Sequence, residues 1–386
     1  MIPYGRQDIS IADIESVVKI LKSDFLTQGP VVPLFEKAVS QYVQASFAIA
    51  ANSSTSCLHI ACMALGLGKG DILWTSPNSF VASSNAALYC GAEVDFIDID
   101  PNTYNLSIDC LQEKLIQAQK SGRLPKIVMP VHFAGQSCEM KYIFNLSKKY
   151  GFKIIEDASH AIGASYMDKK VGCCEYSDIT IFSFHPVKII TTGEGGIAVT
   201  NNPLLAEKMI LHRSHGITNK QDFMFARPED EIWNYQQINI GYNYRMTEIQ
   251  AALGLSQMNR LDEFVERRHH IAKKYNNSLA ECSIILPMQL SDVYSSYHLY
   301  PIRVRKSKSG KTQRMVYDFL IASGIMVNLH YIPIYLQPYY EAKGFKRGYC
   351  KEAELYFKET ISLPIYSSLS DEQQDYVIKT ILELIK

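Results

Sequence analysis

The chain has 386 residues, enough for two domains, or one large domain with an appendage, at roughly 150 residues each. Its 39 Lys plus Arg match 39 Asp plus Glu, so no net charge is available to condense on a polyanion, which argues against a dedicated nucleic-acid binder. Hydrophobic residues make up 47% and charged residues 20%, the proportions of a folded globular protein rather than a disordered one.

The start, Met1 to Asp8, carries a proline and mixed charges where an export signal needs an unbroken apolar run, so no export is expected. Ser10 and Asp13 have the spacing of a capping box, and Ile14, Val17, Val18 and Leu21 recur on one helical face, predicting a helix over 11–23. From there to about residue 215, short β-rich runs alternate with helical patterns. The predicted strands are 72–75, 93–97, 127–131, 153–156, 179–182 and 197–200, with helices such as 57–67 and 140–150 between them. Such βαβ alternation predicts an α/β fold with a mostly parallel sheet. The run Gly66-Leu-Gly68-Lys-Gly70 lacks phosphate-loop spacing and precedes a strand, so it reads as a turn. A charged helical tract from 248 to about 279 then joins the two parts. Beyond it come a strand at 299–304, a helix at 312–323 and a terminal helix at 371–385 begun by Ser370. The expected division is an N-terminal arm and large domain at 1–250, then a linking helix and small α/β C-terminal domain at 251–386.

Nine scattered cysteines without a C-x-x-C pair fit reduced thiols and a cytoplasmic location, with Cys173 and Cys174 read as small buried hydrophobes. Apolar runs stop far short of the roughly 20 residues that a spanning helix needs, so no membrane partner is expected. The ten histidines show no zinc spacing, and His269-His270 sits on a charged helix and reads as solvated, so no metal is expected. There is also no G-x-S-x-G elbow.

Two strand ends carry chemistry, because functional groups gather at the carboxyl ends of parallel strands. In K-I-I-E-D-A-S-H, residues 153–160, Asp157 directly follows an apolar strand. It can hold a positive charge on a bound heterocycle, or it can cap a helix. In I-F-S-F-H-P-V-K, residues 181–188, Lys188 lies in a turn ahead of the glycines of T-T-G-E-G-G, residues 191–196. Desolvation there would lower its pKa and make it a better nucleophile. The two segments lie about one βαβ excursion apart and can converge.

Together they resemble the pyridoxal-phosphate site of the DegT/DnrJ/EryC1/StrS sugar aminotransferases, which are fold-type-I enzymes. Matching stretches run along essentially the whole chain: N-S-S-T-S-C-L-H at 52–59, T-S-P-N-S-F-V-A-S-S-N at 75–85, G-Y-N-Y-R-M-T-E-I-Q-A-A at 241–252 and H-Y-I-P-I-Y at 330–335. The phrases at 26–29, 182–188, 191–192 and 213–216 are similar to members that aminate carbon 4 of a UDP-linked 4-keto-6-deoxy-N-acetylhexosamine on the route to pseudaminic acid.

The resemblance makes Lys188 the Schiff-base lysine and sets Asp157 against the pyridine nitrogen. It puts His160 near the ring oxygen, although a helix cap would also explain that histidine. Phe80 matches the ring-stacking position, with core packing as its alternative. Ser54, Thr55 and Ser56, at a helix start, match phosphate ligands or a plain N-cap, and Ser183 matches a second phosphate ligand. Asn243 corresponds to a residue that reaches the neighbouring subunit's phosphate, implying a homodimer with composite sites. Tyr4, Phe25, Leu26, Thr27, His330 and Tyr331 match places where the family meets nucleotide sugar. Arg245 matches a ligand for diphosphate or donor carboxylate, or else forms a surface ion pair. The implied cofactor is pyridoxal 5'-phosphate, passing through pyridoxamine 5'-phosphate, with L-glutamate as donor. The alternatives are an enzyme for another nucleotide-linked keto sugar, dTDP- or UDP-borne, for O-antigen or other glycans, and a regulator on the same fold. In the dehydratases of this scaffold histidine replaces the lysine, and Lys188 speaks against that activity.

Overall fold

A seven-stranded sheet carries the larger part of the protein, in the spatial order Phe47–Ala51, Gly196–Thr200, Ile179–Ser183, Lys153–Asp157, Ile127–Met129, Ile72–Thr75, Glu93–Phe96. The computed structural model describes residues 1–385; residue 386, the last of the expected second domain, lies outside them. The strands are β1 (Phe47–Ala51), β2 (Ile72–Thr75), β3 (Glu93–Phe96), β4 (Ile127–Met129), β5 (Lys153–Asp157), β8 (Ile179–Ser183) and β9 (Gly196–Thr200), while β6 (Ser165–Tyr166) and β7 (Lys169–Lys170) form a short hairpin beside it. Strands β3, β2, β4, β5 and β8 pair in parallel, and β9 runs antiparallel to both β8 and the edge strand β1. The sheet is thus mostly parallel, as expected. The short, alanine-rich β1 carries no period-2 signal and is specified by its long-range pairing with β9. β4 stops before the predicted end because Pro130 has no N–H to give, and the ladder resumes as a single bridge between Val131 and Asp157.

Among the described residues, the helices up to the second part are α1 (Ile11–Leu21), α2 (Val31–Val43), α3 (Ser54–Ala64), α4 (Ala82–Tyr89), α5 (Ile108–Ser121), α6 (Met140–Tyr150), α7 (Pro203–Arg213) and α8 (Glu248–Met258), with α9 (Leu261–Ser278) leading into it. The capping box of Ser10 and Asp13 starts α1. Helix α3 begins three residues before its apolar pattern because the Ser53 side chain accepts from the Ser56 N–H at 3.1 Å. The tract from 248 to about 279 is two helices rather than one. Arg260 leaves helical geometry (φ −113°, ψ 7°) and sends its guanidinium to Asp8 and Asp13, at 2.9 and 2.6 Å.

A second core gathers α9, the antiparallel pair Tyr300–Arg303 and Thr360–Leu363, and the helices Gln313–Ala322 and Asp371–Leu384. The arm crosses to it: Ile2 packs in this core, its N–H donating to Gly324 and its carbonyl accepting from Met326. Conversely Ile334, Tyr335, Tyr340 and Tyr356 join the core of the large sheet. All nine cysteines are free thiols; Cys174 is buried, and Cys173 is half-buried. No helix among the described residues is long and apolar enough to cross a membrane. His269 differs from its sequence reading: it is half-buried, with Nε2 at 2.6 Å from the Ser295 carbonyl and its ring stacked on Tyr294.

Candidate active site

The carboxyl ends of β5 and β8 open into a cavity of about 670 Å³ between the two cores, within the usual range for small-ligand sites. Its walls include Tyr4, Ser54, Thr55, Phe80, Asp157, His160, Ser183, Lys188, His330 and Tyr331, ten of the sixteen site residues expected from sequence.

Lys188 sits in the turn after β8, its N–H donating to the His185 carbonyl, while Thr192 folds back to the Phe184 carbonyl. Its side chain is half-buried. Burial lowers the amine from its ordinary value to about 8, against the opposing pull of the Asp157 carboxylate. Asp157 ends β5 and is buried. Oδ2 accepts from Ser83 Oγ at 2.6 Å, and Oδ1 accepts from the Ser159 hydroxyl and N–H at 2.6 and 3.2 Å. No helix follows Asp157 or His160, so neither residue is a cap.

Ser183 pairs in register with Gly196, and a Cβ at Gly196 would drive into the Ser54 backbone nitrogen. That glycine lets β9 pass against the first turn of α3, which brings Ser54, Thr55 and Ser183 together. Their hydroxyls, and the N–H groups of Ser54 and Thr55, have no hydrogen-bond partner among the described residues, the arrangement that a dianionic phosphate requires. Ser56 is different: its hydroxyl donates to Asn52 Oδ1 at 2.6 Å, and the residue lies outside the cavity wall. Phe80 is 62% exposed on the rim, so core packing does not explain it. A lysine, a carboxylate facing it, a phosphate cradle and an exposed aromatic ring together fit pyridoxal phosphate.

Three histidines surround the amine. His160 Nδ1 accepts from the Ala134 N–H at 3.3 Å, so its proton rides on Nε2, 3.3 Å from the Tyr331 hydroxyl. His330 Nδ1 meets Ser362 Oγ at 2.8 Å. His298, absent from the sequence reading, lies 3.4 Å from Lys188 Nζ through Nε2. Burial first, and Lys188 next, push all three pKa values down, that of His330 to about 3, so the rings are neutral.

Besides Ser56, five expected residues stay out of this cavity: Phe25, Leu26, Thr27, Asn243 and Arg245. They lie together instead. Leu26 accepts from the Glu248 N–H, Thr27 bridges Thr247, and Asn243 is exposed just ahead of them in the same segment. Arg245 makes no ion pair among the described residues, so the surface-pair alternative is not realised.

Residues 7–382 match the profile of the DegT/DnrJ/EryC1/StrS aminotransferase family. The chain is 37% identical over 387 residues to a UDP-4-amino-4,6-dideoxy-N-acetyl-beta-L-altrosamine transaminase of Campylobacter jejuni, covering 100% of this chain and 98% of that protein. Among solved structures it superposes on Helicobacter pylori PseC, an aminotransferase involved in pseudaminic acid biosynthesis, with TM-score 0.89 and 32% identity, covering 99% and 98% of the two chains. It also superposes on the putative sugar aminotransferase Spr1654 of Streptococcus pneumoniae in its PMP form, with TM-score 0.89 and 29% identity, covering 100% and 99%.

Proposed function

The chain belongs to the DegT/DnrJ/EryC1/StrS aminotransferase family, a pyridoxal-phosphate-dependent sugar transaminase on the fold-type-I scaffold, and we propose that it aminates carbon 4 of a UDP-linked 4-keto-6-deoxy-N-acetylhexosamine on the pseudaminic acid route. The observation that carries the chemistry is the Lys188 amine opposite the Asp157 carboxylate at the mouth of a parallel sheet. The whole-length likeness to the Campylobacter and Helicobacter enzymes supports the substrate.

When bound, pyridoxal phosphate supplies a carbonyl that takes up the amino group and a ring that accepts electrons. Lys188, with its pKa near 8, carries a free lone pair on an appreciable fraction of molecules at neutral pH. Its Nζ can take a proton from the donor's α-carbon and return it elsewhere. Asp157, held by Ser83 and Ser159, can keep a proton on a ring nitrogen facing it. Ser54, Thr55 and Ser183 would hold the phosphate, and Phe80 would cover the ring. The neutral histidines put no second cation beside the amine. L-Glutamate leaves as 2-oxoglutarate in one half-reaction, and the 4-keto sugar leaves as the 4-amino sugar in the other.

A homodimer with shared sites accounts for the residues outside the cavity. Phe25, Leu26, Thr27 and Asn243 are exposed and, with the half-buried Arg245, form a strip available to a second copy's site. Helix α1 supports this reading, because it buries Asp13 against α8 and α9 and exposes Ile11, Ile14, Val18 and Leu21. The free cysteines support a cytoplasmic location.

The test is product identification by mass and NMR after incubation with cofactor, glutamate and a panel of UDP- and dTDP-4-keto sugars. The UDP-linked N-acetylhexosamine is expected to be aminated at carbon 4. Reaction with a different keto sugar alone would replace the substrate and leave the class intact.

A further inference from the structure

We propose that His298 is a further catalytic residue of this transamination: its Nε2 holds a hydrogen of Lys188 Nζ and stabilises the lysine's protonated form between proton uptake and proton return. Arg268 acts as its positioning residue. The inference rests on the reading of Lys188 as the reacting amine.

Nζ has one hydrogen-bond partner among the described residues, His298 Nε2 at 3.4 Å. An ammonium has only hydrogens to offer, so Nε2 presents its lone pair and the ring proton sits on Nδ1. Nδ1 is buried without a partner, which is uncommon for a ring that serves packing alone. The other groups facing the amine are Asp157 on β5, whose charge favours the ammonium, and the neutral rings of His160 and His330. The His160 and His298 rings are in contact, tilted by 50° with centroids 4.3 Å apart.

His298 arrives on a strap, residues 295–299, that runs from the second core into the site. Ser296 N–H and Leu299 N–H donate to Gly135 and Ala134, and Ser296 Oγ donates to the His160 carbonyl at 2.7 Å. On the other side Arg268 is buried with no carboxylate partner among the described residues. Its Nη1 donates to the carbonyls of Tyr297, His298 and Ile365 at 3.1, 3.3 and 2.9 Å. A guanidinium spent on three carbonyls fixes the backbone of His298, and burial alone lowers its pKa to about 9.

A neutral acceptor favours an ammonium over an amine, because charge-assisted hydrogen bonds are roughly twice as strong as neutral ones. Removing His298 therefore lowers the Lys188 pKa further. The amine would then take up a proton less readily in mid-reaction.

The experiment measures the pH dependence of Lys188 acylation in the full-length, cofactor-free protein by peptide mass spectrometry, for wild type, H298L, H298Q and H298N. Glutamine's amide can reach the place of Nε2, and asparagine's cannot. The H298L and H298N midpoints are expected about one unit below wild type, and that of H298Q within about 0.3 unit. Single-turnover conversion by glutamate should slow about ten- to a hundredfold in H298L and H298N, and less than about threefold in H298Q. R268K should show a smaller downward shift of the midpoint. An unshifted midpoint in folded H298L or H298N, or an H298Q that falls as far as they do, overturns the proposal. If H298L does not fold, the contrast between H298Q and H298N decides. Borohydride fixation of the cofactor on Lys188 in each variant keeps the underlying reading intact even when the inference fails.

Discussion

The two walls of the cleft are built on opposite electrostatic terms. The sheet wall presents charge: Asp157 and Lys188 stand at adjacent strand ends, and the carboxylate is held by two serines. The wall from the second core presents neutral rings, His298 and His330, whose protonation is suppressed by burial and then by the lysine itself. The proposed passage of a proton to and from one amine gains from this asymmetry, because one carboxylate tunes the lysine while the neighbouring rings add no charge.

Removing the charge from the sheet wall breaks the asymmetry most severely. Asp157→Asn should slow the glutamate half-reaction about 10²- to 10³-fold in stopped-flow absorbance, with a smaller loss of cofactor affinity. On the opposite wall, Gly135→Ala attacks the strap. Gly135 has φ +99°, and a Cβ there would sit 2.5 Å from Ser296 Oγ and 2.9 Å from the Tyr297 nitrogen. The cost should be about 3 kcal/mol of stability, read as a lowered melting temperature. Ser83→Ala deletes one hydrogen bond to the buried carboxylate and should cost about tenfold in the same half-reaction, with about 1–2 kcal/mol of stability read as a lowered melting temperature.

The smallest effect is the sharpest in sign. Only the free amine attacks a carbonyl, so capture of pyridoxal phosphate by the cofactor-free protein should accelerate as pH rises through about 8 and level off above it. Asp157 raises the lysine's pKa, so Asp157→Asn should move this midpoint to lower pH. A shift to higher pH would mean that the carboxylate does not face the amine.

The sheet wall was legible in the sequence and the opposite wall was not. Asp157 and Lys188 sit at the ends of apolar runs, where local pattern and parallel-sheet topology agree about where a side chain arrives. His298 follows a serine-rich segment 110 residues after Lys188, with no periodicity to announce it. Only the Arg268 clamp and the close approach at Gly135 bring it to the amine. Ser56 was misplaced for a related reason: a helix start predicts free N–H groups but not which hydroxyl turns outward, and Asn52 takes that one. The break between α8 and α9 was hidden because Arg260 is a good helix former until Asp8 and Asp13, from the far end of the chain, claim its guanidinium.

Lys188 Nζ is the one amine proposed to carry the cofactor's aldehyde. Borohydride reduction of the cofactor-loaded protein, followed by peptide mapping, tests it most directly. A pyridoxyl adduct is expected on Lys188, and a Lys188→Ala protein should bind cofactor without covalent fixation and lose its turnover. An adduct on any other lysine, or full turnover in the alanine variant, would contradict it.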